Sequence, residues 1–338
     1  MKHVKKFGFV FISTLLLSVL LLSTAALPVL AEPIPADALR WKSYTAEDGT
    51  EGVMITGCTS KDPVWEFPAT IDGKPVLRLD TLHSLESDPA FSDTTTKEII
   101  VPEGVQEINY AFAMYTALEK VTLPQSLKSI GMYSFYNCSA LKEINFPAGL
   151  ETIGSDAFDG CKQLETVSLP DSVTKLGEYA FSGCASLKEL RLSAGIKQIP
   201  EYAFDGCTSL TSVVIPEGVE RIGISAFDDS LKTITLPKSL TYVDMNGLVY
   251  CNLEKVIYNG TKQEFEKIDS YMDQLNSIEC PIEYNGGTSG DPSQNGGPAD
   301  GETNVWVPII IGIVVIVLAA GGSVAVFLFM KRKNNANR

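Results

Sequence analysis

Phe112, Phe135, Phe158, Phe181, Phe204 and Phe227 follow one another at intervals of 23 residues. A period of this length constrains the fold more tightly than composition does. Each unit is too short to bury its own apolar side chains, so it must stack on its neighbours. Three full units carry the shared pattern: "LKEINFPAGLETIGSDAFDGCKQ" from Leu141, "LETVSLPDSVTKLGEYAFSGCAS" from Leu164 and "LKELRLSAGIKQIPEYAFDGCTS" from Leu187. With small departures each reads L-x-x-I/V-x-L-P-x-x-V-x-x-I-G-x-x-A-F-x-x-C.

The spacing within one unit predicts its path. In "LETVSLP" Val167 and Leu169 lie two residues apart and share a face, so Ser168 points the other way, as in a short strand. Pro170 ends that strand because it lacks an N–H. Val173 and Leu176 supply a second inward contact, Gly177 is read as a turn, and Ala180 with Phe181 fills the coil. Stacked coils would pair their strands in parallel, and the ends would need covers. This predicts an α/β leucine-rich-repeat solenoid of about 23-residue coils, occupying residues 62–252. "WKSYTAEDGTEGVMITGC", with Asp48-Gly49 between two alternating stretches, predicts a hairpin cap over 32–61. "LEKVIYNGTKQEFEKI" predicts a strand running into an amphipathic helix as the opposite cap, 253–284. The segment "HSLESDPAFSDTTT" breaks the period and is read as a loop.

On these residues the chain resembles the BspA-like leucine-rich repeats of bacterial cell-surface proteins. The resemblance covers residues 41 to about 270 and rests on the A-F-x-x-C units, the "IDGKPV" insertion and the closing "IYNGTKQEFEKI". It implies a secreted or surface-attached solenoid that attaches to host proteins or other surfaces. It implies no common enzymatic activity and carries over no binding residues.

The chain ends set the compartment. A basic start, an uncharged run and "VLA" before Glu32 read as a signal peptide, 1–31. Residues 305–330 form an uncharged run of 26 residues, longer than the roughly 20 that span a bilayer, and are expected to be a single transmembrane helix. "KRK" after it places the tail, 331–338, in the cytoplasm and the amino-terminal part outside. Between solenoid and helix, residues 285–304 are rich in Gly, Pro and small polar residues, the composition of a flexible stalk. The sequence contains no L-P-x-T-G motif, so the helix itself is expected to retain the protein.

The segment 32–304 holds 20 basic against 41 acidic side chains. That balance argues against nucleic acid, whose binding depends on a basic surface. The cysteines Cys138, Cys161, Cys184 and Cys207 repeat with the same period. Stacked about 4.8 Å apart, the outer two would lie roughly 14 Å from each other, whereas two sulfurs on one zinc lie within about 4.6 Å. They cannot share a metal, and parallel side chains hold neighbouring Cβ atoms too far apart for easy bridging. Tyr115 and Ser230 occupy the same slot at either end, so the ladder Phe135, Phe158, Phe181, Phe204 with its four cysteines is read as packing. Cys58 is assigned to the front cap, and Cys251 and Cys280 to the rear, where only those two are placed to meet.

His83, in the irregular loop, is the one histidine after the leader. Triad chemistry would hang on it alone, and no phosphate-binding or calcium loop is present. Neither enzyme activity nor a cofactor is expected. What remains is the outward strand row Ile100, Thr122, Asn145, Ser168, Arg191, Val214 and Thr235, which is either a solvated sheet face or a binding surface. Within it Arg191, beside Asn145 and Ser168, is the expected polar anchor. The function expected is binding of an extracellular protein or polysaccharide, as in adhesion or host interaction. An alternative is an envelope scaffold or sensor for the producer's own surface. Oligomeric state is not readable from the sequence.

Overall fold

The computed structural model describes residues 33–80, 95–248 and 251–286. The expected leader, the loop with His83 as far as residue 94, the stalk from residue 287, the apolar run 305–330 and the tail lie outside the described residues; Asn285 and Gly286, expected in the stalk, instead bond to Tyr258 O and Gly260 O of the rear cap. Among the described residues no helix is long and apolar enough to cross a membrane.

The period becomes a β-solenoid of about nine turns. Each coil carries two short strands, and each set of strands forms a parallel ladder. One ladder begins with the antiparallel hairpin of Leu39–Thr45 and Glu51–Cys58 and runs through Lys74–Asp80, Glu107–Asn109, Ser129–Ile130 and Thr152–Ile153 to Lys175–Leu176. The other begins at Val64–Glu66 and runs through Glu98–Ile100 and Lys120–Thr122 to Glu143–Ile144. Asp48 closes the hairpin turn by accepting the Thr50 N–H at 2.9 Å.

Helix is scarce, so the α/β expectation is corrected to an almost all-β fold. The expected amphipathic helix shortens to one four-residue turn, Lys262–Phe265, closed by a capping box between Thr261 and Glu264. The physical reason lies in the A-F segment of each coil. Its N–H groups bond sideways to the next coil, as in Phe135 to Ala157 O at 2.8 Å and Phe158 to Ala180 O at 2.8 Å. Those donors are therefore unavailable to a helix of their own.

The core is the predicted ladder. Phe135, Phe158, Phe181 and Phe204 are all fully buried, with stacked rings 5.0 to 5.7 Å apart. Cys138, Cys161, Cys184 and Cys207 are also fully buried, and each thiol donates to the carbonyl of a phenylalanine in the preceding coil at 3.1 to 3.4 Å. All seven cysteines are free thiols. Cys251 belongs to this ladder: its N–H bonds to Leu248 O as that of Cys138 bonds to Phe135 O. The slot escaped the period because Leu248 replaces Phe and follows Phe227 after only 21 residues.

Gly177 serves a different purpose from the turn expected of it. Its φ is not positive; instead a Cβ there would lie 2.2 Å from Ser155 N and 2.4 Å from Gly154 C. The slot demands glycine because neighbouring coils touch backbone to backbone. The left-handed position falls elsewhere, on Tyr110, Tyr133, Asp156, Tyr179, Tyr202 and Ser225, all two residues before the core phenylalanine.

The two ladders are interrupted in the middle of the molecule. Glu143–Ile144 does not pair with Thr166–Ser168, Lys175–Leu176 does not pair with Gln198–Ile199, and Glu189–Arg191 does not pair with Ser212–Val214. Pro200 explains the second break. In its slot Gly131, Gly154, Gly177 and Gly223 each donate an N–H to the preceding coil at 2.6 to 2.9 Å, whereas proline has no N–H and adds a ring where backbones must touch. At the third break Arg191 and Ser193 both bond back to the preceding coil, at Leu169 O and Val173 O.

Candidate functional site

The first break coincides with a departure from the repeat. Where Leu123, Leu169 and Leu236 fill the strand-ending slot, this coil has Phe146. The larger ring is only half-buried and stands edge-on to Phe158 and Phe181, at 5.6 and 6.4 Å between centroids. A side chain too large for its slot displaces its surroundings. The coil carrying Thr166–Ser168 therefore no longer lies in ladder contact with the one before it.

Asn145 takes part in the break. In regular coils the N–H before the proline slot bonds to the next coil's main chain, as in Val101 to Thr122 O at 3.0 Å and Leu169 to Arg191 O at 2.9 Å. Leu123 N–H instead donates to the side-chain oxygen of Asn145 at 3.3 Å. The amide replaces a ladder carbonyl, the competition that asparagine offers to regular structure.

The result is a cleft of about 620 Å3 on the outward strand face, lined by Thr122, Asn145, Phe146, Thr166 and Ser168, with Lys120, Lys142, Glu143 and Glu165 among its other walls. The volume is within the range of small-ligand sites, about 300 to 1,000 Å3. Charge pairing breaks at the same place. Lys142 pairs back to Glu119 at 3.5 Å and Glu165 pairs forward to Lys188 at 3.0 Å, so among the described residues no ion pair crosses the cleft between them.

Two of the three residues expected to bind, Asn145 and Ser168, thus face each other across one cleft. Arg191 stands apart from it, although Ser168 and Arg191 are register partners. Its guanidinium donates to Leu169 O at 2.5 Å and to Asp171 at 2.8 Å. The expected continuous row is in three pieces, in which Ile100 with Thr122, Ser168 with Arg191 and Val214 with Thr235 keep their pairing. The sequence reading missed Phe146 and Thr166. The signal for Phe146 was its departure from leucine in an otherwise regular unit.

Chemistry at the cysteines is suppressed by burial, which pushes the thiols of Cys138, Cys161, Cys184 and Cys207 far above the ordinary range. Cys251 is pushed up to about 12 by the same cause. Cys251 and Cys280 line a common cleft of about 490 Å3 without being bonded to each other. Among the described residues no group of three or more His, Cys, Asp or Glu side chains could hold a metal ion.

The comparisons agree with the architecture. The chain is similar to a leucine-rich repeat protein from Bacteroides ovatus ATCC 8483, with 23% identity and a TM-score of 0.50, covering 77% of this chain and 72% of that one. It is also similar to the T. pallidum leucine rich repeat protein, with 24% identity and a TM-score of 0.50, covering 76% of this chain and 100% of that one. At these identities the likeness concerns the fold. No curated protein matches. The model of the BspA type leucine rich repeat region matches residues 84–211 and 197–285 in six copies. The chain belongs to the BspA-type leucine-rich-repeat family.

Proposed function

We propose that this protein is a membrane-anchored bacterial surface protein whose solenoid binds an extracellular protein or glycan without catalysis. The observation that carries the reading is the cleft at Phe146, which sets Asn145 and Ser168 opposite each other in the outward strand face. Repeat solenoids use such faces for binding. The order of leader, repeats, Gly/Pro-rich stalk and uncharged 26-residue run in the sequence supports export and retention at the membrane, and the repeat family is a scaffold for interaction.

The test is in two parts. Protease applied to intact producing cells should remove the repeat region and leave a membrane-bound fragment; a repeat region protected until the cells are lysed would defeat the localisation. Immobilised full-length protein should capture a host matrix protein or a cell-wall glycan, and an Asn145→Ala/Ser168→Ala double variant should lose most of that capture. Capture of the producer's own envelope components alone would replace adhesion by an envelope scaffold.

A further inference from the structure

The walls of the Phe146 cleft differ from every well-paired part of the solenoid in having lost their ladder partners. In intact interfaces the main-chain groups are satisfied across the coils, as in Lys120 N–H to Lys97 O and Lys188 N–H to Glu165 O. Among the described residues no main-chain hydrogen bond joins Glu143–Ile144 to Thr166–Ser168. The cleft therefore presents both N–H donors and C=O acceptors, and exposed polar groups of this kind are satisfied by water or by a ligand. Around them stand the hydroxyls of Thr122, Thr166 and Ser168 and the amide of Asn145, which already exchanges hydrogen bonds with Leu123 N–H and O at 3.3 and 3.5 Å and has only its remaining N–H and lone pair to offer, with the Phe146 ring as an apolar surface.

Two observations narrow the occupant. A polypeptide strand entering the ladder would need the coils about 9.6 Å apart, twice the strand spacing. Behind the cleft, however, the rings of Phe135 and Phe158 stack at 5.2 Å and those of Phe158 and Phe181 at 5.0 Å, so on the core side the coils remain one spacing apart and a strand could enter only by wedging that stack open. The charges at the rim are largely committed: Lys120 pairs with Glu98 at 2.8 Å, Lys142 with Glu119 at 3.5 Å and Glu165 with Lys188 at 3.0 Å. Among the described residues no unpaired cation lines the cleft to select an anionic ligand. Glu143 adds a further acceptor for hydroxyls. Walls that donate and accept side by side suit groups that do the same, and a sugar offers hydroxyls of that kind on a ring whose C–H face can rest on an aromatic side chain.

We infer that the cleft beside Phe146 is a subsite for a neutral oligosaccharide, an assignment that rests on the extracellular binding role proposed above and narrows its ligand class. Asn145, Thr166 and Ser168 hydrogen-bond the hydroxyls, and Phe146 both opens the cleft and carries the sugar ring.

Isothermal titration calorimetry of the full chain in detergent micelles, against cellotetraose, chitotetraose, mannotetraose and maltotetraose, tests this. At least one is expected to bind. Phe146→Leu, which restores the repeat residue and lets the ladder close, should abolish that binding while raising the melting temperature. Ser168→Ala, at an exposed position that does not support the fold, should weaken it about tenfold, the equivalent of one well-made hydrogen bond to a ligand. Absence of heat with all four sugars at millimolar concentration overturns the assignment. If the same preparation still captures a polypeptide ligand, the binding role survives that failure. Sugar binding that both Phe146→Leu and Ser168→Ala leave unchanged overturns the placement.

Discussion

Cys161 is fully enclosed, and its thiol reaches the carbonyl of Phe135 at 3.3 Å. Cys161→Ala removes both the volume and the weak bond, and is expected to cost about 1 to 2 kcal/mol in urea unfolding. The ladder also predicts how stability depends on pH. Burial raises all four thiols in the folded state, while in the unfolded chain they ionise near an ordinary value of ~8.5. Above that value the unfolded state binds fewer protons than the folded one. The stabilisation is therefore complete below pH ~8.5 and is lost as the pH rises beyond it, by up to about 1.4 kcal/mol per thiol per pH unit. Melting curves between neutral pH and pH 10 should fall accordingly, and a Cys161→Ser variant should flatten the slope by at most about a fifth, since burial raises the Cys251 thiol as well. An unchanged slope would mean that the thiols are not what titrates.

The strands and the glycine slot carry the next prediction. A methyl group on Gly177 would meet Ser155 N at 2.2 Å, Gly154 C at 2.4 Å and Ser155 Cα at 2.6 Å, all backbone atoms of the preceding coil with nothing flexible to yield. Gly177→Ala should destabilise by about 1 to 3 kcal/mol, the usual cost of overpacking, measured by chemical denaturation. Pro200 occupies the same slot, so Pro200→Gly should let the ladder close and give the new amide the slow hydrogen exchange of the Gly177 amide. Much of this layer was legible in the sequence. Val167 and Leu169, spaced by two, announced the strand, and the A-F-x-x-C spacing announced the stacked core. Gly177 was legible as a necessary glycine but for the wrong reason, because a close approach between coils leaves the same mark as a turn. Asn145 and Ser168 were found from strand alternation. Their meeting in one cleft was not, since it depends on whether a ring fits a leucine slot three coils into a stack. Cys251 was hidden by a coil two residues short.

Across the molecule, three successive interfaces each keep one strand ladder and lose the other. The interface at Phe146 keeps the Thr152–Ile153 pairing with Lys175–Leu176; the next keeps Thr166–Ser168 with Glu189–Arg191; the third keeps Gln198–Ile199 with Arg221–Ile222. In a solenoid, where stability is a sum over neighbouring units, these are the weak links. Amide exchange is expected to be fastest, among the strands, in Glu143–Ile144, Thr166–Ser168 and Gln198–Ile199, and slowest in the paired strands nearer the hairpin. Uniform protection along the stack would contradict this. Throughout the same stretch the A-F turns stay bonded, from Phe135 to Ala157 O at 2.8 Å through Phe204 to Ala226 O at 3.0 Å, and the phenylalanine stack is unbroken. An uninterrupted column with edges released first on one side and then on the other is the construction of a beam with a neutral axis. Bending in the middle would be taken up at these released edges, on one strand row or the other, while the phenylalanine column keeps its length.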